Sequence, residues 1–273
     1  NSLIVVSGKR SKVIDYYDIY HYESNMDYSS YSYTNDLVGF DAEGQLTSAI
    51  EYVTMEADDL PVIYQITGHD EGTLGSEFQT AVEKANLSLS SIELLNEESV
   101  PDDASAIIIN APQKDFNEVD AKKVIDYLKA GGKAIIIGSY TDTDMPNFDS
   151  ILETYNVQFT KGVISENDAQ HYYKMGGPFY LLPEVNSGDY TTNIGGNYVY
   201  VPATLGITYP DSNSDSDTES DSEDSDKITY TSLMDTTDQS VAKNDPNNMS
   251  DYAFEDGDDK GPFSVGLAVE QTV

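Results

Sequence analysis

The chain has no cysteine and no tryptophan, and its 273 residues hold only 14 Lys+Arg against 49 Asp+Glu. Without cysteine there is no thiol nucleophile, no disulfide and no thiolate metal site. The shortage of cations leaves a net charge of −35. Such a surface repels phosphate backbones and anionic membranes, so nucleic acid is disfavoured, while cations, cationic peptides and neutral polymers stay open. No apolar run approaches the roughly 18–20 residues of a membrane-crossing helix. The chain starts at Asn1 rather than Met, as an excised or processed piece does, so the lack of a leader or anchor excludes neither.

What the chain does have is a central block of apolar runs. Val62-Ile63-Tyr64-Gln65-Ile66, Ala106–Ile109 and Ala134–Ile137 each stop in a short polar or glycine-containing loop. Continuous rather than alternating β-branched runs are expected of strands covered on both faces. From about Leu74, Phe78, Ala81, Val82 and Ala85 recur at helical spacing, with Asn86 as a left-handed stop. A second helix is capped by Asn117, turns Ala121, Val124, Ile125 and Leu128 inward, and ends at Gly131-Gly132. A further strand at Ser91–Leu95 completes the order β-α-β-β-α-β. That order predicts an α/β fold with a flavodoxin-like, doubly wound, mostly parallel sheet. Such sheets bind ligands beyond the carboxyl ends of their strands.

Around this central sheet, taken as residues 61–165, lie an N-terminal arm (1–60) and C-terminal strands and loops (166–273), all within one expected α/β domain, 1–273. The arm offers a strand at 2–6 and a segment containing Tyr16, Tyr17, Tyr20, Tyr22, Tyr28, Tyr31 and Tyr33. A helix after Asp41 follows, burying Leu46, Ala49, Ile50 and Val53. Late strands at 228–233 and 263–270 are expected to return to the sheet. Residues 211–226 contain no apolar side chain and read as a solvated, disordered-type insert. Asp211, Asn213, Asp215 and Asp217 imitate half of an EF-hand loop, but Ser216 stands where glycine is needed and Ser222 where the bidentate glutamate belongs. That leaves at most weak, non-specific calcium association, and no metal site is expected.

The strand-end loops supply a candidate cleft: Gly68, His69, Asp70 and Glu71 after the first run, Asn110 after the second and Ser139 after the third. His69 has no HxH or HxxxH partner for a metal. Ser139 is the one nucleophile offered, and Ile137-Gly138-Ser139-Tyr140 lacks the second glycine of a nucleophile elbow. Gly68, Gly72 and Gly75 fit neither G-x-G-x-x-G nor the P-loop, and Asp70, Glu71 and Glu77 would repel an anion. A plain turn, with His69 and Asp70 hydrogen-bonding the backbone at a helix start, explains the same residues. No catalytic residue and no cofactor is therefore assigned. The Tyr-rich arm is either packing or an aromatic surface for a sugar or peptide.

Taken in order, Gly39–Val53, Ile66–Glu71, Ile109–Phe116, Tyr180–Pro183 and Gly261–Glu270 resemble gliding-motility-type ABC-transporter auxiliary proteins. The resemblance implies an extracytoplasmic domain on the face of the cell membrane, anchored through segments outside this chain. Its implied partners are ABC-transporter permease and ATPase subunits. It also implies a fold related to class I glutamine-amidotransferase-like domains, whose cysteine nucleophile this chain does not possess. The expectation is a non-enzymatic binding or assembly domain of an ABC transport complex. A glycan or peptide sensor is the alternative, and a hydrolase using His69 the second alternative.

Overall fold

The computed structural model describes the chain apart from residues 9, 28–30, 57–59, 195, 211–227, 246–251 and 273. The expected acidic insert and its calcium question therefore lie outside the described residues, as does Tyr28. By backbone contacts the chain falls into two compact units. One is Asn1–Tyr64 with Thr73–Ser91 and Asp103–Ser105; the other is Gln65–Gly72 with Ile92–Asp102 and Ala106–Val273.

Two antiparallel hairpins open the chain. β1 (Ser2–Ser7) pairs with β2 (Arg10–Asp15), and a single helical turn, α1 (Tyr16–Ile19), leads to β3 (Tyr20–Asp27) and β4 (Ser32–Phe40). α2 (Ala42–Thr54) follows Asp41 and packs on the first hairpin, burying Ala49 and Val53 while Ile14 of β2 is buried too. Ile50, expected on that face, is exposed. The buried stripe is turned by one residue toward Ser48, whose hydroxyl donates to Lys84 O.

The central elements keep the expected order: β5 (Val62–Thr67), α3 (Ser76–Lys84), β6 (Ser88–Glu93), β7 (Ala104–Asn110), α4 (Glu118–Lys129) and β8 (Ala134–Ile137). Their strands form a sheet in the order β6-β5-β7-β8, with β7 and β8 parallel. Local chemistry sets the helix ends. Asn86 stops α3 at φ +56°, Asn117 Oδ1 accepts the Asp120 N–H at 2.9 Å to start α4, and Gly131 at φ +92° ends it.

Two packing expectations fail here. Of the apolar stripe expected on α3, only Val82 is buried, and Phe78, Ala81 and Ala85 face solvent. The helix is held instead at its end, where buried Asn86 accepts from Lys12 Nζ and donates to Ser48 O, both at 2.9 Å. Ile107, Ile108 and Ile109 of β7 are covered on both faces, but Ile135 and Ile137 of β8 are 47% and 43% exposed. β8 is the sheet edge, so an unbroken isoleucine run does not imply two covered faces there.

Beyond β8 the expected architecture is overturned. After α5 (Pro146–Glu153) come β9 (Gln158–Ser165), β10 (Tyr180–Leu181), β11 (Glu184–Val185), β12 (Val201–Pro202), β13 (Leu205–Thr208), β14 (Ile228–Asp235), β15 (Val241–Lys243), β16 (Asp259–Lys260) and β17 (Ser264–Gln271). Seven of them build a sheet in the order β11-β14-β17-β13-β9-β15-β16, every neighbouring pair antiparallel. β10 and β12 make a separate antiparallel pair. The fold is therefore not a flavodoxin-like, doubly wound, mostly parallel α/β fold, because its largest sheet is antiparallel. The late strands do not return to the parallel sheet; they pair with each other as β14 and β17. Two features explain it. Ile228-Thr229-Tyr230-Thr231-Ser232 alternates as a half-covered antiparallel strand does, and no described helix follows α5 to make parallel crossovers.

The antiparallel sheet is centred on Ile164, Leu181, Ala242 and Phe263, with Val201 and Val265 against them. At the end of β15, Lys243 is 1% exposed and donates to Asp258 at 2.6 Å, to Glu255 at 3.0 Å and to Ala253 O at 2.9 Å. Burial pushes the ammonium pKa down, but the hydrogen bonds and charges of Asp258 and Glu255 outweigh it and hold the pKa above its usual value. Elsewhere the carboxylates have few cations to meet. Self-repulsion of −35 charges should make stability depend on ionic strength. The thermal midpoint, followed by circular dichroism, is expected to climb steadily with added KCl; a midpoint indifferent to salt would refute this.

Candidate functional site

The candidate residues lie just beyond β5, β7 and β8. After β5 the backbone turns sharply, with Gly68 at φ +119°, a conformation suited to glycine, and Asp70 at φ +56°. His69 sits between them, buried. Its carbonyl accepts the N–H groups of Gln113 and Lys114, both at 3.0 Å. Its own N–H donates to Glu71 Oε2 at 2.9 Å, and its ring Nδ1 lies 2.8 Å from Glu71 Oε1. The imidazole stacks on Phe116, with ring centres 3.8 Å apart and planes within 11°. So the His69 contacts run to Glu71 and the Gln113–Lys114 backbone; the turn expected at a helix start is instead closed by the neighbouring loop.

Asn110 completes the closure. Its Nδ2 donates to Gly72 O at 2.8 Å and its carbonyl accepts the Gly72 N–H at 2.7 Å, while Gln65 Nε2 reaches the same Gly72 oxygen at 3.0 Å. Asp70 lies at the exposed rim, paired with Lys114 at 2.7 Å. Ser139, half-buried, follows β8, and no described hydrogen bond joins it to His69. The structure thus bonds His69 to Glu71 and Asn110 to Gly72 in adjacent parts of one turn that begins at Gly68, with Asp70 at its rim and Ser139 outside these bonds.

Chemically, a carboxylate on imidazole Nδ1 is the base-and-orienter half of a triad, and no nucleophile is bonded to it among the described residues. Among the described residues no group of three His, Asp or Glu side chains is placed to hold a metal ion, and no helix is long and apolar enough to cross a membrane. Two open depressions, of about 470 and 500 Å³, are lined by other residues: Glu153, Gln158 and Tyr209 in one, Asp245, Glu255 and Asp256 in the other.

Sequence reasoning missed Phe116 and Asp115. The signal was present: Phe116 directly precedes the Asn117 cap and, like Ala121, is buried, the arrangement of a hydrophobic staple. Asp115 accepts the N–H groups of Asn147 (3.1 Å) and Phe148 (2.9 Å), capping α5 from another segment because Met145 provides no side-chain cap. Another feature missed is an exposed cluster in which Tyr180 stacks on Tyr200 and Tyr173 meets it edge-on, both with ring centres 6.0 Å apart.

Burial tends to raise the Glu71 pKa, but its hydrogen bonds from the His69 ring and backbone outweigh that and hold it below the usual carboxylate range. A carboxyl depressed on folding contributes stability that is complete above its unfolded pKa and lost as pH falls through the folded one. Glu71→Gln should therefore cost about 1–3 kcal/mol at neutral pH. In denaturant melts the gap from the parent chain should narrow as pH drops into the acid range; a gap unchanged with pH would contradict the assignment.

No family model matches the chain, and no curated protein does. Among solved structures it is similar to the mmIFT52 N-terminal domain over 66% of this chain and 74% of that one, with 12% sequence identity and a TM-score of 0.45. A likeness at that level carries neither fold nor function across.

Proposed function

We propose that this chain is a non-enzymatic binding and assembly domain on the extracytoplasmic face of the cell membrane, working with the permease and ATPase of an ABC transport complex. The observation that carries the non-enzymatic reading is how the strand-end polar groups are spent on one another. His69 is taken up by Glu71, Phe116 and the Gln113–Lys114 backbone, and Asn110 by Gly72. A general base needs a substrate proton within hydrogen-bond reach, whereas this cluster fastens loops. The transport setting rests on the ordered resemblance of Gly39–Val53, Ile66–Glu71, Ile109–Phe116, Tyr180–Pro183 and Gly261–Glu270. Affinity capture of the native, membrane-anchored protein should bring permease and ATPase subunits with it. Recovery of neither would sink the proposal.

A second reading, a glycan or peptide sensor, is favoured by the exposed Tyr173, Tyr180 and Tyr200 rings. Tyrosine faces offer broad contact area to sugar or peptide while their hydroxyls stay wet. The net charge points to neutral or cationic ligands. On a glycan and peptide array, Tyr180→Ala and Tyr200→Ala should each weaken any ligand at least tenfold while His69→Ala leaves it bound. Loss on His69→Ala alone would move the site back to the strand ends.

A further inference from the structure

A depression of about 470 Å³ lies where α5 ends, β9 begins and β13 leaves the antiparallel sheet. It is lined by Glu153, Asn156, Gln158, Thr208, Tyr209 and Pro210. Its volume falls within the roughly 300–1,000 Å³ of small-molecule sites. The walls are braced. Gln158 pairs in register with Thr208, whose hydroxyl donates to Gln158 O at 3.2 Å. Tyr209 stacks on Tyr230 with ring centres 5.7 Å apart, and the Tyr230 hydroxyl donates to Tyr155 O at 2.8 Å.

The polar groups of this depression are not spent on one another as those at the strand ends are. Asn156 stands at φ +53° as the left-handed stop of α5, its N–H donating to Glu153 O at 3.0 Å. The Asn156 side-chain amide makes no hydrogen bond among the described residues. Glu153 receives one long contact from Gln158, 3.4 Å between Nε2 and Oε1. Braced walls and free polar groups are what a preformed polar site requires.

We propose that this depression binds a neutral saccharide. A sugar hydroxyl donates and accepts at once, and a carboxylate, two amides and a hydroxyl set around one hollow answer both needs. Tyr209 adds a ring on which the C–H face of a sugar can lie. Charge narrows the class further. No Lys or Arg lines the depression and the chain carries −35, so uronic and phosphorylated sugars are repelled. One carboxylate is too few for a calcium ion. An extended peptide adding to the sheet needs an open edge, and β9 and β13 each have a strand on both sides. The site shares no residue with the Tyr173, Tyr180 and Tyr200 cluster and stands independently of the transport reading.

Saturation-transfer NMR on the full chain tests the assignment, with neutral disaccharides of glucose, galactose, mannose and N-acetylglucosamine as probes and a uronic-acid disaccharide beside them. At least one neutral probe should bind and the uronic acid should not. Asn156→Gly is the deciding variant. Glycine accepts the left-handed backbone freely, so the thermal midpoint should hold or rise while saccharide binding weakens at least about fivefold. Tyr209→Phe should bind as the parent does, and Tyr209→Ala should lose binding with its far-ultraviolet circular dichroism unchanged. The proposal is overturned if no neutral probe binds, if the uronic acid binds equally well, or if Asn156→Gly and Tyr209→Ala bind like the parent. Loss of binding on Tyr180→Ala in place of Tyr209→Ala overturns it as well and moves the sugar to the exposed tyrosine cluster.

Discussion

Like-charge repulsion is the constraint around which this fold is arranged. With 14 basic residues against 49 acidic ones, cations are scarce, and several are used as internal fasteners rather than surface decoration. Lys243 gathers Asp258, Glu255 and a carbonyl in the core. Lys123 bridges Asp120 and Leu94 O. Lys12 bonds Asn86 and Glu83 O, and Lys84 pairs with Asp41 ahead of α2. Each ammonium binds two or more oxygens or closes a long sequence separation. A buried ion pair is a doubtful source of stability in an ordinary protein. In this one the alternative partner for each cation is another of many carboxylates, so location rather than strength is what these lysines specify.

Where local signals decide structure, the sequence was readable. Asn86, Asn117 and Gly131 punctuate helices because only certain residues tolerate a left-handed backbone or cap an N-terminus, and their meaning needs no tertiary context. Ala134–Ile137 was placed as a strand to the residue. Coverage was not readable: whether an isoleucine run has one neighbour or two depends on where the sheet ends, and β8 is its last strand. The antiparallel sheet was missed because two- and three-residue strands such as β11 and β15 carry almost no period of their own. They exist through register with β9 and β14, contacts made far along the chain.

The candidate site divides in the same way. Gly68, His69 and Asn110 could be found as strand-end residues, since a parallel pair points its ends together. What they do there could not, because it hangs on Phe116 and on the Gln113–Lys114 backbone, more than forty positions away. A histidine in a promising loop becomes a fastener only when its neighbours are known. The tyrosines split likewise: their number was evident, but pairing register alone separates the sides of the β3–β4 hairpin.

β13 and β14, the strands on either side of β17, place a geometric demand on the chain between them. Both strands are antiparallel to β17 and lie on opposite sides of it, so they point the same way. β13 leaves the sheet near the level of Ser264, while β14 enters at the level of Gln271. The end of β13 and the start of β14 therefore lie on opposite sides of β17 and about 23 Å apart along the strand direction. A same-direction crossover needs about a dozen residues. A tight turn joins only neighbours that run in opposite directions, so two same-direction strands flanking β17 set a minimum length for the link between them.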